Sequence, residues 1–136
     1  MEKALFYLKD YSFDKVSLDL EGLNGEETIA LSFDPHGTYN RQDGSFSLQF
    51  IFTAMVENKD IPVVNVLCNA VFQFKDAIPF TDIPDYFFSN SIAILFPYIR
   101  AMVSTLTLQA NVKPIVLPTM NLSTLKEQLR KQTTIV

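Results

Sequence analysis

Polar and apolar positions alternate with a period of two through most of the first half of the chain, and with a helical period through much of the second. Phe46, Leu48, Phe50, Phe52, Ala54 and Val56 fall on one side of an extended segment, and Ser45, Ser47, Gln49, Thr53 and Glu57 on the other, which makes this the clearest strand. The run IPVVNVLCNAVFQF predicts a further strand, rich in Val, with Pro62 near its start where proline is tolerated. Asn58, Lys59 and Asp60 mark the turn between the two. Ahead of them, Tyr7 to Phe13 reads as extended, and Ile29, Leu31 and Phe33 alternate with Ala30 and Ser32, which predicts two more strands. Between these two, from Val16 to Thr28, the breakers Gly22, Asn24 and Gly25 predict a loop. Val16, Leu18, Leu20 and Leu23 make it more apolar than solvent requires, so it is expected to lie on something. Pro35-His36-Gly37 is expected to open a polar connection that ends in a tight turn at Asp43-Gly44.

The pattern changes after Phe74. A long helix is predicted through Asn90 to Leu108, with Pro84 near its start, Asp82 as its cap and Pro97 as an interior kink or break. Ile92, Leu95, Phe96, Ile99, Met102, Val103 and Leu106 form one apolar face, while Ala93, Ile94, Ala101 and Leu108 leave little of the other polar. A helix of that kind needs cover on two sides, and a second copy of the chain supplies it most simply. Pro114 and Pro118 then hold the chain extended, and a shorter helix starts near Leu122, with Leu122, Leu125 and Leu129 on one side and Lys126, Glu127, Arg130 and Lys131 on the other. The fold class is therefore α+β, with a four-stranded antiparallel sheet followed by a long kinked helix and a short one.

With 136 residues, residues 1–136 are expected to form a single domain that buries a core without disulfide or metal support. The net charge of −4 and the pI near 4.8 argue against nucleic acid, whose phosphates call for a basic stripe, and disfavour an acidic partner. The one cysteine, Cys68, sits in an apolar strand and reads as a buried thiol. The opening residues reach charges too soon for a secretion signal, and no stretch is expected to have the apolar length that spans a bilayer, so the protein reads as cytoplasmic.

Catalytic chemistry is hard to assemble from these residues. His36 is the one histidine and reads as a loop residue rather than a general base. No His or Cys cluster has metal-ligand spacing, the 4 glycines are dispersed, and no metal or cofactor is implied. Asp10 and Asp14 share a strand face at roughly 13 Å, too far apart to share a proton. They serve either as a docking feature or as solubilising charge. Phe72, Phe74, Phe80, Tyr86, Phe87 and Phe88 crowd the junction of strand and helix. Beside the apolar loop and the leucine face of the last helix they are expected to leave an apolar groove for extended segments of other chains.

The run Ile94-Leu95-Phe96-Pro97-Tyr98-Ile99-Arg100, followed by Leu117-Pro118-Thr119-Met120-Asn121-Leu122, closely resembles the SecB family of protein-export chaperones, whose pattern reads ILFPYAR and then LxPxNF. Tyr7-Leu8-Lys9-Asp10-Tyr11-Ser12-Phe13-Asp14 resembles that family's first strand, Y-x-K-D-x-S-F-E. The resemblance runs from about Phe6 to Leu129. It implies a homotetramer built as a dimer of dimers, ATP-independent binding of unfolded chains or preproteins, and delivery to the SecA motor. Asp10 and Asp14 match two of the acidic docking positions, whereas the one in the fourth strand is Asn65 here, and Leu18, Leu20 and Leu23 stand where the family's loop carries aromatic residues. Some relatives instead serve a single antitoxin.

The expected client groove comprises Leu18, Leu20, Leu23, Phe74, Phe80, Tyr86, Phe87, Leu125 and Leu129. Docking of a SecA-like partner falls to Asp10 and Asp14, and the interface between copies to Ile92, Leu95, Ile99, Met102, Val103 and Leu106. The expected protein is not an enzyme and does not insert into membranes. The alternatives are a chaperone dedicated to one client, a pocket protein for a small apolar ligand, an enzyme using His36 with Asp34, and a structural oligomer without clients.

Overall fold

A computed structural model describes residues 5–21, 23–119 and 121–136; Gly22 and Met120, both named above, lie outside the described residues. The period-two segments fold as four long strands: β1 (Phe6–Leu18), β2 (Ile29–Asn40), β3 (Ser45–Val56) and β4 (Pro62–Phe74). A short β5 (Thr133–Ile135) completes the sheet in the order β1-β4-β3-β2-β5, in which the long strands pair antiparallel and β5 lies parallel to β2. The fifth strand corrects the expectation of four. Three residues ending in Thr-Thr-Ile carry too little periodicity to register as a strand.

The alternation sets the two faces. Phe46, Phe50, Phe52, Val64, Val66, Cys68, Phe72 and Phe74 have at most 1% of their surface exposed on the inner face, under the helices. Ser47, Gln49, Asn65 and Asn69 occupy the outer face in cross-strand register, as Gln49 opposite Asn69 and Thr53 opposite Asn65.

Pro35, His36 and Gly37, expected in a connection, lie inside β2 opposite Phe50, Gln49 and Leu48. An edge strand tolerates proline because the missing N–H would have faced outward. Gly37 answers to packing, since a Cβ there would come within 2.4 Å of the Phe46 ring and 2.8 Å of Thr133 Oγ1. The turn itself falls at Arg41–Gly44, where Gly44 takes φ +72° and its N–H donates to Asn40 O at 2.9 Å.

The long helix α1 (Asp85–Gln109) runs unbroken through Pro97 and starts behind Pro84. Asp82 belongs to a separate 3-10 turn, Phe80–Asp82, and the helix has no side-chain cap, which corrects the expected role of Asp82. By length and apolarity alone α1 is long enough to cross a membrane, contrary to expectation. One face of it lies in the core, where Phe87, Ile92, Leu95, Ile99 and Val103 have no exposed surface. The second helix, α2 (Leu122–Lys131), is capped by Asn121, whose Oδ1 accepts from Thr124 N–H at 3.3 Å, and buries Leu125 and Leu129. Lys126 Nζ and the Arg130 guanidinium both reach the Asp85 carboxylate, the former at 2.8 Å, and Arg130 also lies 5.1 Å over the Phe88 ring. These contacts fix α2 to the start of α1.

Candidate functional site

The two ends of the inner face differ. Where β4 passes into α1, Phe87 packs its ring against Phe6, Phe46 and Phe74 at centroid distances of 4.7, 4.8 and 4.7 Å. Tyr39 closes this end, its hydroxyl donating to Ile78 O at 2.6 Å. Phe74, Phe87 and Leu129 were expected to line a groove, but they are core, with at most 1% exposure. Phe80 packs on Tyr39 and Phe88, and the half-exposed Tyr86 stays outside the hollows described below. Large rings interlock with one another and fill the junction.

The other end stays open. A hollow of about 390 Å³ is lined by Leu20, Leu23, Gly25, Glu27, Ile29, Val63, Thr107, Val112, Lys113, Pro114 and Ile115. Further along β2 lies a second hollow of about 240 Å³, walled by Leu31, Phe33, Thr119, Asn121, Thr124 and Leu125. A third of about 270 Å³ meets it at Thr119, between Phe96, Arg100, Pro118 and Leu122. The first two lie between β2 and the segment 112–119, and the third between that segment and α1. Of the expected groove residues, this assembly includes Leu20, Leu23 and Leu125, while Leu18 packs against the core nearby.

Both walls are held by hydrogen bonds. Thr107, fully buried, accepts from Ile115 N–H at 3.0 Å and donates back into α1 at Val103 O, 3.1 Å, and Ser104 Oγ donates to Ile115 O at 3.3 Å. The loop wall closes around Glu27, whose carboxylate accepts from the N–H groups of Asn24 and Gly25, each at 2.9 Å. Those donors, Asn24 foremost, hold the Glu27 carboxyl below its usual range. Asp19 N–H donates to Val63 O at 2.8 Å and ties the loop's start to β4.

Beside the hollows, no described strand pairs with the outer edge of β2 from Ile29 to Asp34, because β5 pairs at Gly37–Tyr39. Backbone groups alternate along a strand, and Gly37 N–H and Tyr39 O point outward to Gln132 and Val136, so Ile29, Leu31 and Phe33 offer theirs on the same side. The sequence reading missed Ile29, Leu31, Phe33 and Ile115 as groove residues. Their signal was the alternation that also marked a core strand.

The outer sheet face is polar. A shallow hollow of about 330 Å³ is lined by His36, Thr38, Ser47, Gln49, Asn69, Ala70 and Val71. His36 Nε2 lies 2.8 Å from Asp34 Oδ2, and Gln132 Nε2 donates to Asp34 Oδ1 at 3.1 Å. Burial would raise the Asp34 carboxyl, but the His36 and Gln132 bonds outweigh it and hold the group below the usual carboxylate range. Asp14 accepts from Asn69 Nδ2 at 2.5 Å and from Ser12 Oγ at 2.7 Å, which lowers its carboxyl, Asn69 contributing most. Asp10, opposite Val71 in register, shares that exposed face. Cys68 is buried, and burial pushes its thiol up to about 11. Among the described residues no three His, Cys, Asp or Glu side chains gather as metal ligands.

Of the six residues expected between copies, Ile92, Leu95, Ile99 and Val103 are packed wholly within the chain, which corrects that part of the expectation; Met102 and Leu106 are half-buried. The side of α1 left outside carries Ala93, Ile94, Tyr98, Ala101 and Leu108, with Tyr98 stacked on Tyr11 at 4.4 Å.

A five-stranded, mostly antiparallel sheet under a long and a short helix is the architecture of SecB-like chaperones. The SecB family, described as preprotein translocase subunit SecB, matches residues 2–133, and the chain belongs to it. It is 31% identical over 98 residues to the uncharacterized protein MJ0357 of Methanocaldococcus jannaschii, covering 70% of this chain and 63% of that protein's length. It is 26% identical over 136 residues to the protein-export protein SecB of Magnetococcus marinus, covering 93% of this chain and 82% of that one. The fold matches the Mycobacterium tuberculosis Rv1957 SecB-like chaperone, solved with a ChAD peptide from the HigA1 antitoxin, with a TM-score of 0.68 and 18% identity over 85% of this chain and 88% of that one.

Proposed function

We propose that this chain is an ATP-independent holdase, a cytoplasmic and non-enzymatic chaperone that binds unfolded polypeptides in extended form along the open end of the sheet. The observation that carries this reading is a strand edge, Ile29 to Asp34, that pairs with no other strand among the described residues and runs beside two hollows with apolar walls, the larger of which reaches the loop between β1 and β2. Backbone pairing holds any extended chain regardless of sequence, and the hollows take its alternate apolar side chains. Membership of the SecB family, and a relative named as a protein-export protein, support clients bound for export. Asp10 and Asp14 on the outer face are the proposed contact for a SecA-like motor. The exposed side of α1, with Ile94, Tyr98 and Leu108, is the proposed contact between copies in a tetramer, in place of the buried positions.

A second reading, a chaperone dedicated to one antitoxin, is favoured by the bound antitoxin peptide of the Mycobacterium tuberculosis fold neighbour. Binding measured against the unfolded and folded forms of several proteins, without nucleotide, separates the two. A holdase retains many unfolded chains and no folded ones. Retention of one client alone supports the dedicated role, and retention of none overturns both readings.

A further inference from the structure

The β2 edge is not free along its whole length. Past Asp34 it is occupied by another segment of the chain itself, with Gly37, Thr38 and Tyr39 in parallel register with Thr133, Thr134 and Ile135. Gly37 N–H donates to Gln132 O at 3.1 Å, Val136 N–H to Tyr39 O at 2.8 Å, and Arg41 N–H to Val136 O at 3.2 Å. They are the same outward-facing groups that, at Ile29, Leu31 and Phe33, no strand among the described residues takes up, so one edge is part filled and part open.

The filled part is weakly anchored. Thr134, Ile135 and Val136 are exposed and Thr133 only half-buried, so β5 buries no side chain in the core. A segment held mainly by exposed backbone bonds belongs to the low-stability end of a structure and opens without global unfolding. Its inner limit is a side-chain hook, since Gln132 Nε2 donates to Pro35 O at 2.6 Å and to Asp34 Oδ1 at 3.1 Å. The hook sits where the open edge stops. Pro35 has no N–H to lose there, so a chain extending along β2 passes it without leaving a donor unpaired.

We propose that Gln132–Val136 is a releasable strap, a built-in competitor that covers the far part of a peptide-accepting edge, so that its detachment lengthens the edge from Ile29–Asp34 to Ile29–Asn40. The proposal rests on the holdase reading and adds a regulatory element to it. With the strap down, the protein takes short extended segments. With the strap displaced it takes longer ones, at the cost of the strap's own bonds.

Thr38 and Thr134 are register partners with exposed side chains, and the spacing of neighbouring strands, about 4.8 Å, lies in the range a disulfide bridges. The variant Thr38→Cys with Thr134→Cys therefore locks the strap when oxidised and frees it when reduced, while Cys68 stays buried. The probes are two dye-labelled peptides of alternating valine and lysine, one as long as Ile29–Asp34 and one as long as Ile29–Asn40. The reduced variant, and a chain lacking Thr133–Val136, are expected to bind the long probe on the order of tenfold more tightly than the oxidised variant, about the worth of one net backbone hydrogen bond. All forms are expected to bind the short probe equally. Amide exchange at Val136 in the wild-type chain should quicken when the long probe is added. Equal binding of the long probe by locked and freed forms overturns the strap and leaves the groove standing. Failure of the wild-type chain to bind either peptide or an unfolded carboxymethylated protein overturns the holdase reading, and the strap with it.

Discussion

The two ends of the sheet's inner face are both apolar, yet one is sealed and the other open. At the sealed end, α1 starts with Phe87 and Phe88, whose rings fill the space over Phe46 and Phe74, and α2 is pinned alongside through Asp85. At the open end, α1 finishes with Ser104 and Thr107, small polar side chains that hold an extended segment rather than filling volume. Pro114 and Pro118 prevent that segment from becoming a covering helix. Apolar content alone therefore does not locate a binding surface. What decides it is where the covering element stops and how much volume its last side chains supply.

The largest effect is expected from Ile92→Asp, on the sealed face of α1. It removes a fully buried side chain and buries an unpaired charge, a loss of about 5 kcal/mol or more, so no cooperative thermal transition should remain. A folded monomer would show that this position faces a partner rather than the chain's own sheet. Next comes Phe87→Ala, which should cost about 3–5 kcal/mol by opening a cavity among five aromatic rings, measured by denaturant unfolding. At the open end, Leu23→Asp with Leu31→Asp should weaken binding of an unfolded chain on the order of tenfold or more, while the melting temperature moves little, since both residues are only part-buried. A large drop in melting temperature would instead mean that the hollows are core.

The smallest effect concerns acid. Glu27 has its folded pKa depressed, so its contribution is present above the ordinary glutamate value and is lost as pH falls below that value and through the folded one. Client binding should weaken over that acid range before the sealed end melts, and Glu27→Gln should bind more weakly already at neutral pH and show a flatter acid dependence. Titration of peptide binding, alongside near-ultraviolet circular dichroism, checks both.

Much of the sheet was legible. The strict alternation of Phe46 to Val56 and the Val-rich run after Pro62 emerge as β3 and β4 with every inner position buried. The stretch Pro35-His36-Gly37 misled, because its residues carry turn chemistry, yet on an edge strand the missing N–H and missing Cβ are accommodated and even required. The groove was half legible. Leu20, Leu23 and Leu125 stood out as apolar residues in polar surroundings, whereas Ile29, Leu31 and Phe33 looked like any core strand.

By itself the sequence determined the α+β class, the turns that join β2 to β3 and β3 to β4, and the family motifs, because side-chain period and turn chemistry are local properties, whereas the pairing of β1 with β4 was not legible. Only the tertiary structure decided that the junction aromatics are core, that the buried face of α1 belongs to the chain's own sheet, and that Thr133–Ile135 adds a strand beside residues nearly a hundred positions earlier. Those outcomes depend on which surfaces meet and how completely their volumes fill one another, and that is a property of contacts distant in sequence.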